Sequence, residues 1–178
     1  MMRYWTAFSV LAAAAAASAI GDGQEGPSSK VAELAALDHY AGSWKTTFSG
    51  DGGASTTAAT TTGKWILGGR FMQQSVRIGG EGGAAATEVM TMMTFDVDRK
   101  VYKSWHFISD GGTMPSEGTW DAEKKTMKTT ARSDGDGGRI EITADFSEAG
   151  KEKWKIDLFD VAGVRKSTIA GTNVKEVK

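Results

Sequence analysis

Ten short runs of strand character, joined by hairpin-length turns and preceded by one short helical stretch, predict an all-β protein: an up-and-down antiparallel barrel of about ten strands with a short N-terminal helix. Three observations carry that prediction. One pattern occurs twice, as TFDVDRKVYK at Thr94–Lys103 and TWDAEKKTMK at Thr119–Lys128, each reading as a strand, a tight turn opened by Asp96 or Asp121, and a second strand. Asp suits that turn position because its carboxylate accepts hydrogen bonds from backbone amides two or three residues on. Turn signals recur at short intervals along the rest of the chain, among them LGGR, GGEGG, SDGGT, DGDGG and SEAGK. Several runs also alternate with period two, as in Ile140, Ile142, Ala144 and Phe146 against Arg139, Glu141, Thr143 and Asp145. An open meander of this length would leave two exposed edges, and closure into a barrel removes both.

Taken in order, the chain opens with Arg3, an apolar run from Tyr4 to Ala17 and the triplet Ala17-Ser18-Ala19. This is the pattern of a secretory signal peptide over residues 1–19, cleaved before Ile20. The apolar run is short for a membrane span, and no second run of its kind follows. An exported protein, periplasmic or extracellular and without a membrane span once the leader is removed, is therefore expected. Residues 20–29 (IGDGQEGPSS) read as a flexible leader. Ser29 is placed to cap a short helix through Val31, Leu34 and Leu37 that ends at Gly42. Strands are then predicted at 43–49, 55–66, 70–78, 86–95, 101–109, 114–120, 125–133, 139–146, 152–160 and 164–172. The barrel domain spans 30–172, and 173–178 reads as a polar tail.

Composition narrows the function classes. The chain of 178 residues carries 21 basic and 22 acidic side chains of interspersed sign, which argues against a nucleic-acid partner. It has no cysteine, so neither a disulfide nor a lipid-modified N-terminal Cys is available, and stability must come from the core. A domain of this size can manage that, since it buries roughly two-thirds of its unfolded surface. Five tryptophans lie beyond the signal segment, Trp44, Trp65, Trp105, Trp120 and Trp154, and suffice as principal core fillers, with a stacking platform for a flat ligand as the alternative reading.

A barrel of ten strands is wider than one of eight, whose interior side chains can nearly fill, so a cavity is expected. The strands at 86–95 and 101–109 are apolar on both faces: Val89, Met93 and Phe95 oppose Met90 and Met92, while Trp105 and Phe107 oppose Tyr102 and Ile108. Either one face is covered, or the cavity there is lined by methionine and aromatics, with Met adapting readily to irregular apolar ligands. In the strand at 70–78, one parity presents Arg70, Met72, Gln74 and Val76 and the other Phe71, Gln73, Ser75 and Arg77. An inward Arg would suit a carboxylate head group. His106 shares a face with Tyr102, Ser104 and Ile108, and in a lumen could orient a ligand or act as a base. His39, at the helix end, would favour the helix dipole. The candidate ligand-binding set is thus Arg70, Met72, Gln74, Arg77, Met92, Trp105 and His106, and the expected partner is a small hydrophobic or amphipathic molecule.

Other chemistry is poorly supported. Two histidines without cysteine or a ligand-spaced motif do not make a transition-metal site. Gly80-Glu81-Gly82-Gly83-Ala84-Ala85 has the letters of a dinucleotide loop, but a strand follows it rather than a helix. Asp134-Gly135-Asp136 lacks the further ligands of a calcium loop. No nucleophile elbow or Ser/His/Asp arrangement is visible, so neither cofactor nor catalytic residues are assigned, although two lumen acids could meet across a barrel.

The run Leu37-Asp38-His39-Tyr40-Ala41-Gly42-Ser43-Trp44 resembles the opening of an exported bacterial family, domain of unknown function 1579, in which a short helix runs into a Gly-x-Trp strand. The resemblance continues through Gly63-Lys64-Trp65-Ile66-Leu67-Gly68-Gly69-Arg70-Phe71, Phe95-Asp96 and Ser116-Glu117-Gly118-Thr119-Trp120-Asp121, covering roughly residues 34–172. It implies a lipocalin-like barrel and brings no established activity, ligand or catalytic residue. A more distant similarity is to haem-binding barrels of the nitrobindin type. The glycines which that type carries after the first-strand tryptophan are absent here, as is a histidine near the C-terminus. The function expected first is therefore cavity binding, ahead of a structural barrel with a filled interior and an enzyme of cyclase or isomerase type using His106.

Overall fold

The computed structural model describes residues 31–50, 57–79, 86–132 and 137–177. The signal segment, the leader, the Ser29 cap, the Gly80–Ala85 loop and Asp134–Asp136 lie outside these residues. Ten strands follow a short helix: β1 (Gly42–Ser49), β2 (Thr57–Ile66), β3 (Phe71–Ile78), β4 (Thr87–Asp96), β5 (Val101–Ile108), β6 (Thr113–Asp121), β7 (Thr126–Arg132), β8 (Arg139–Asp145), β9 (Lys151–Phe159) and β10 (Arg165–Lys175). Each pairs antiparallel with its sequence neighbours, and β1 pairs with β10, so the sheet is a closed barrel without edges.

The two copies of the repeated hairpin form as their aspartates dictate. Asp96 Oδ1 accepts from the amides of Asp98 and Arg99 at 3.1 and 3.0 Å, and Asp121 Oδ1 accepts from the Lys124 amide at 3.0 Å. Lys100 and Lys125 then take the left-handed backbone, with φ of 54° and 50°, that returns the chain into β5 and β7. Strand β10 runs to Lys175, so the segment read as a polar tail begins inside the sheet, with Asn173 buried.

The helix, Ala32–Tyr40, is of 3₁₀ type, follows Val31, and plugs one end of the barrel. Its Leu34, Ala36, Leu37 and Tyr40 are buried with Met72, Met93, Tyr102, Met127, Ala144 and Phe146. Polar ties fix it there. The Tyr102 hydroxyl donates to the Glu33 carbonyl at 2.7 Å, the Trp65 indole N–H to Asp38 at 2.7 Å, and the Trp44 indole N–H to the Tyr40 carbonyl at 3.3 Å. Gly63 admits the helix end, because a Cβ there would collide with the Tyr40 carbonyl. His39 does more than face a helix terminus: its ring lies 5.2 Å from those of both Phe146 and Trp120. Burial first, and then the charge of Lys125, holds its pKa below the ordinary histidine value.

Candidate ligand-binding site

The plug fills one end of the interior and leaves the other open. A cavity of about 340 Å³ occupies that half, within the range of small-molecule sites. Its walls are Phe48, Val76, Ile78, Val89, Ile108, Met114, Trp154, Ile156 and Ile169, and no described residue lining it carries an Asp, Glu, Lys or Arg side chain. Beneath it lies a void of about 70 Å³ against Leu37 and Tyr40 of the helix. Gln74, Thr91, His106 and Ile142 line both spaces and so mark the waist between them.

That waist is polar. Thr46, Thr61, Thr91, Ser104, Ser116 and Thr129 are buried, as are Glu152 and Asn173, and with Gln74 every strand except β8 contributes one such residue. Buried polar groups require partners, and most find them in one another. The Thr46 and Thr61 hydroxyls lie 2.7 Å apart. His106 is held at both ring nitrogens, Nδ1 by the Thr91 hydroxyl at 3.0 Å and Nε2 by the Ser116 hydroxyl at 3.2 Å. Burial lowers its pKa, which favours the neutral ring. Asn173 bridges two neighbours, its Oδ1 accepting from the Trp154 indole at 3.2 Å and its Nδ2 donating to Glu152 at 2.6 Å. Burial pushes the Glu152 carboxyl up to about 7, against the lowering effect of the Asn173 bond.

The family model described as "protein of unknown function (DUF1579)" matches residues 30–152, well over half of the chain. The chain belongs to the DUF1579 family. The match includes the plug helix and β1 to β8, whereas Trp154 and Asn173 lie beyond it. The DUF1579 barrel is similar in fold to the crystal structure of Rv2717c from M. tuberculosis, with a TM-score of 0.63, 12% identity, and coverage of 83% of this chain and 99% of that one. It is also similar in fold to the S-type phycobiliprotein lyase CPES from Guillardia theta, with a TM-score of 0.57, 11% identity, and coverage of 80% and 91%. No curated protein matches the sequence.

Of the residues predicted to bind a ligand, the DUF1579 barrel brings only Gln74 and His106 to its cavity. Met72 points inward but is fully buried in the plug core. Arg70 is exposed in the turn before β3, so its parity does not deliver it to the lumen. Arg77 falls on the outer parity and pairs with Glu88 at 3.0 Å. Met92 and Trp105 are cross-strand partners on the outer face, where Trp105 is 37% exposed. The doubly apolar strands therefore resolve into an inner face of Val89, Thr91, Met93 and Phe95 and an outer face with Met90, Trp105 and Phe107. Sequence reasoning missed Glu152 and Asn173. Glu152 shares its parity with Trp154 and Ile156, a signal available in β9, but Asn173 stood beyond the predicted end of the last strand. Among the described strand residues Glu152 is the one acid of inward parity, so no carboxylate pair forms in the lumen. Among the described residues no three His, Cys, Asp or Glu side chains cluster as a metal site would need.

Proposed function

We propose that this protein is an exported barrel that binds a small, partly apolar molecule in the open half of its interior. The observation that carries the reading is the cavity of about 340 Å³ with an apolar wall and a polar floor. The tripartite pattern of residues 1–19 supports export. A ligand burying about ten methylenes there gains about 8 kcal/mol, of which association and ordering consume several. Affinity at best micromolar results unless the floor supplies a polar anchor. A non-enzymatic role accords with His106, whose nitrogens are both engaged by hydroxyls and whose neighbours include no second titrating lumen group in hydrogen-bond contact. Likeness to the phycobiliprotein lyase is one of fold and supplies no ligand.

Native mass spectrometry of protein purified without detergent from its exported fraction tests this directly. A reproducible added mass that disappears in Met114→Trp, which fills the cavity from its wall, is the expected result. A clean apo mass, together with no thermal shift on adding medium-chain aliphatic compounds, would remove the reading and favour a structural barrel.

A further inference from the structure

We propose that the cavity, if it binds as inferred above, selects an uncharged head group that carries a hydrogen-bond donor and acceptor side by side, a carboxamide or lactam, and that Gln74 reads it. Most polar side chains at the cavity floor are paired with one another. Thr46 and Thr61 bond to each other. Thr91 and Ser116 hold the two nitrogens of His106, and Asn173 is engaged by Trp154 and Glu152. Each of these groups already has a partner within the wall, and the Ser104 and Thr129 hydroxyls line the lower void, not the cavity.

Gln74 differs. Its side chain lines both the cavity and the void below, Thr91 is its cross-strand neighbour, and its carboxamide has no hydrogen-bond partner among the described residues. No buried side-chain N or O among the described residues lacks a partner, so the Gln74 amide reaches the cavity space, where its donor and acceptor edges are open to a ligand. The matching partner presents an acceptor to the N–H and a donor to the C=O, as another amide does. An alcohol satisfies one edge at a time. A carboxylate offers no donor, an ammonium offers no acceptor, and either ion would be desolvated in a space whose described lining holds no opposite charge.

The test uses three probes of one chain length, octanamide, octanoate and octylammonium, titrated at pH 6, where Glu152 behind Asn173 holds its proton, and followed by tryptophan fluorescence, with Trp154 in the cavity wall as reporter. Octanamide is expected to bind about tenfold more tightly than either ion, the order that two neutral hydrogen bonds supply. Gln74→Leu should abolish the preference while leaving a weak apolar affinity. Gln74→Glu should move the preference to octylammonium. Equal affinities in the native protein, or a tenfold preference that survives Gln74→Leu, would overturn the assignment and leave the cavity reading standing. Failure of all three probes to bind the native protein would remove both.

Discussion

Glu152 is a carboxyl that the fold keeps dry. Its folded pKa of about 7 stands above the ordinary value of 4.5, so the native state holds the proton more tightly than the unfolded chain. Stability from this group is therefore full below pH 4.5, declines as pH rises, and levels off above pH 7. Glu152→Gln keeps an acceptor for Asn173 and removes the titration. The variant should match the native protein near pH 4 and exceed it by about 3 kcal/mol at pH 8, as read from urea unfolding across that range. His106 works in the opposite sense, because burial depresses its pKa and stability from it is lost as pH falls below the ordinary histidine range. A difference between native protein and variant isolates Glu152 from this and from the exposed aspartates. At this scale the sequence was only partly readable. In β3 both parities mix polar and apolar side chains, so nothing local told Gln74 from Gln73 or placed Arg77 outside. In β9 the alternation of Trp154 and Ile156 with lysines did mark the inner face, and Glu152 lies on it.

The plug helix is the element that divides a filled half from an open one. It has little stability of its own, since long 3₁₀ segments are poorly bonded, and it depends on its contacts. Leu37 has no exposed surface, and Leu37→Ala should cost about 3 kcal/mol and enlarge the void beneath the waist. Gly63→Ala tests the docking from the strand side. Its Cβ would displace the helix end at Tyr40, and a loss of at least about 2 kcal/mol in thermal or urea unfolding is expected, with new exposure of Trp44 and Trp65 visible as a fluorescence red shift. Strands were legible where local chemistry is decisive: the Asp96 and Asp121 turns set the ends of four strands to within a residue or two. The helix start was not, because Val31 continues the apolar spacing of Leu34 and Leu37 and yet precedes the helix, whose place is governed by packing of Leu34 and Leu37 on the barrel end. The outer aromatics Trp105 and Phe107 likewise defeat a reading that equates apolar with inward.

Over the whole molecule, the interior is graded from an apolar plug through a polar waist to an apolar, open chamber, and the proposed activity belongs to the chamber. Met114→Trp should abolish ligand retention with little effect on stability, because it occupies existing cavity space; binding assays and melting curves on one preparation check both halves of that statement. The number and order of strands could be anticipated, since every connection is short. The absence of an edge could only be argued by economy, and the pairing of Trp44 with Lys175 and of Thr46 with Asn173 supplies the fact. That single seam also shapes how the chain finds its structure. Nine of the ten pairings join consecutive strands and form across short turns, so they are fast and cheap to nucleate. The tenth must bring β1 to β10 across nearly the whole domain, at the largest loop-closure cost in the molecule. Assembly thus resembles rolling a mat and fastening it last, with Thr46, Asn173 and Glu152 beside the fastening. Changes to those residues should act mainly on how fast the native barrel comes apart, and less on how fast it forms.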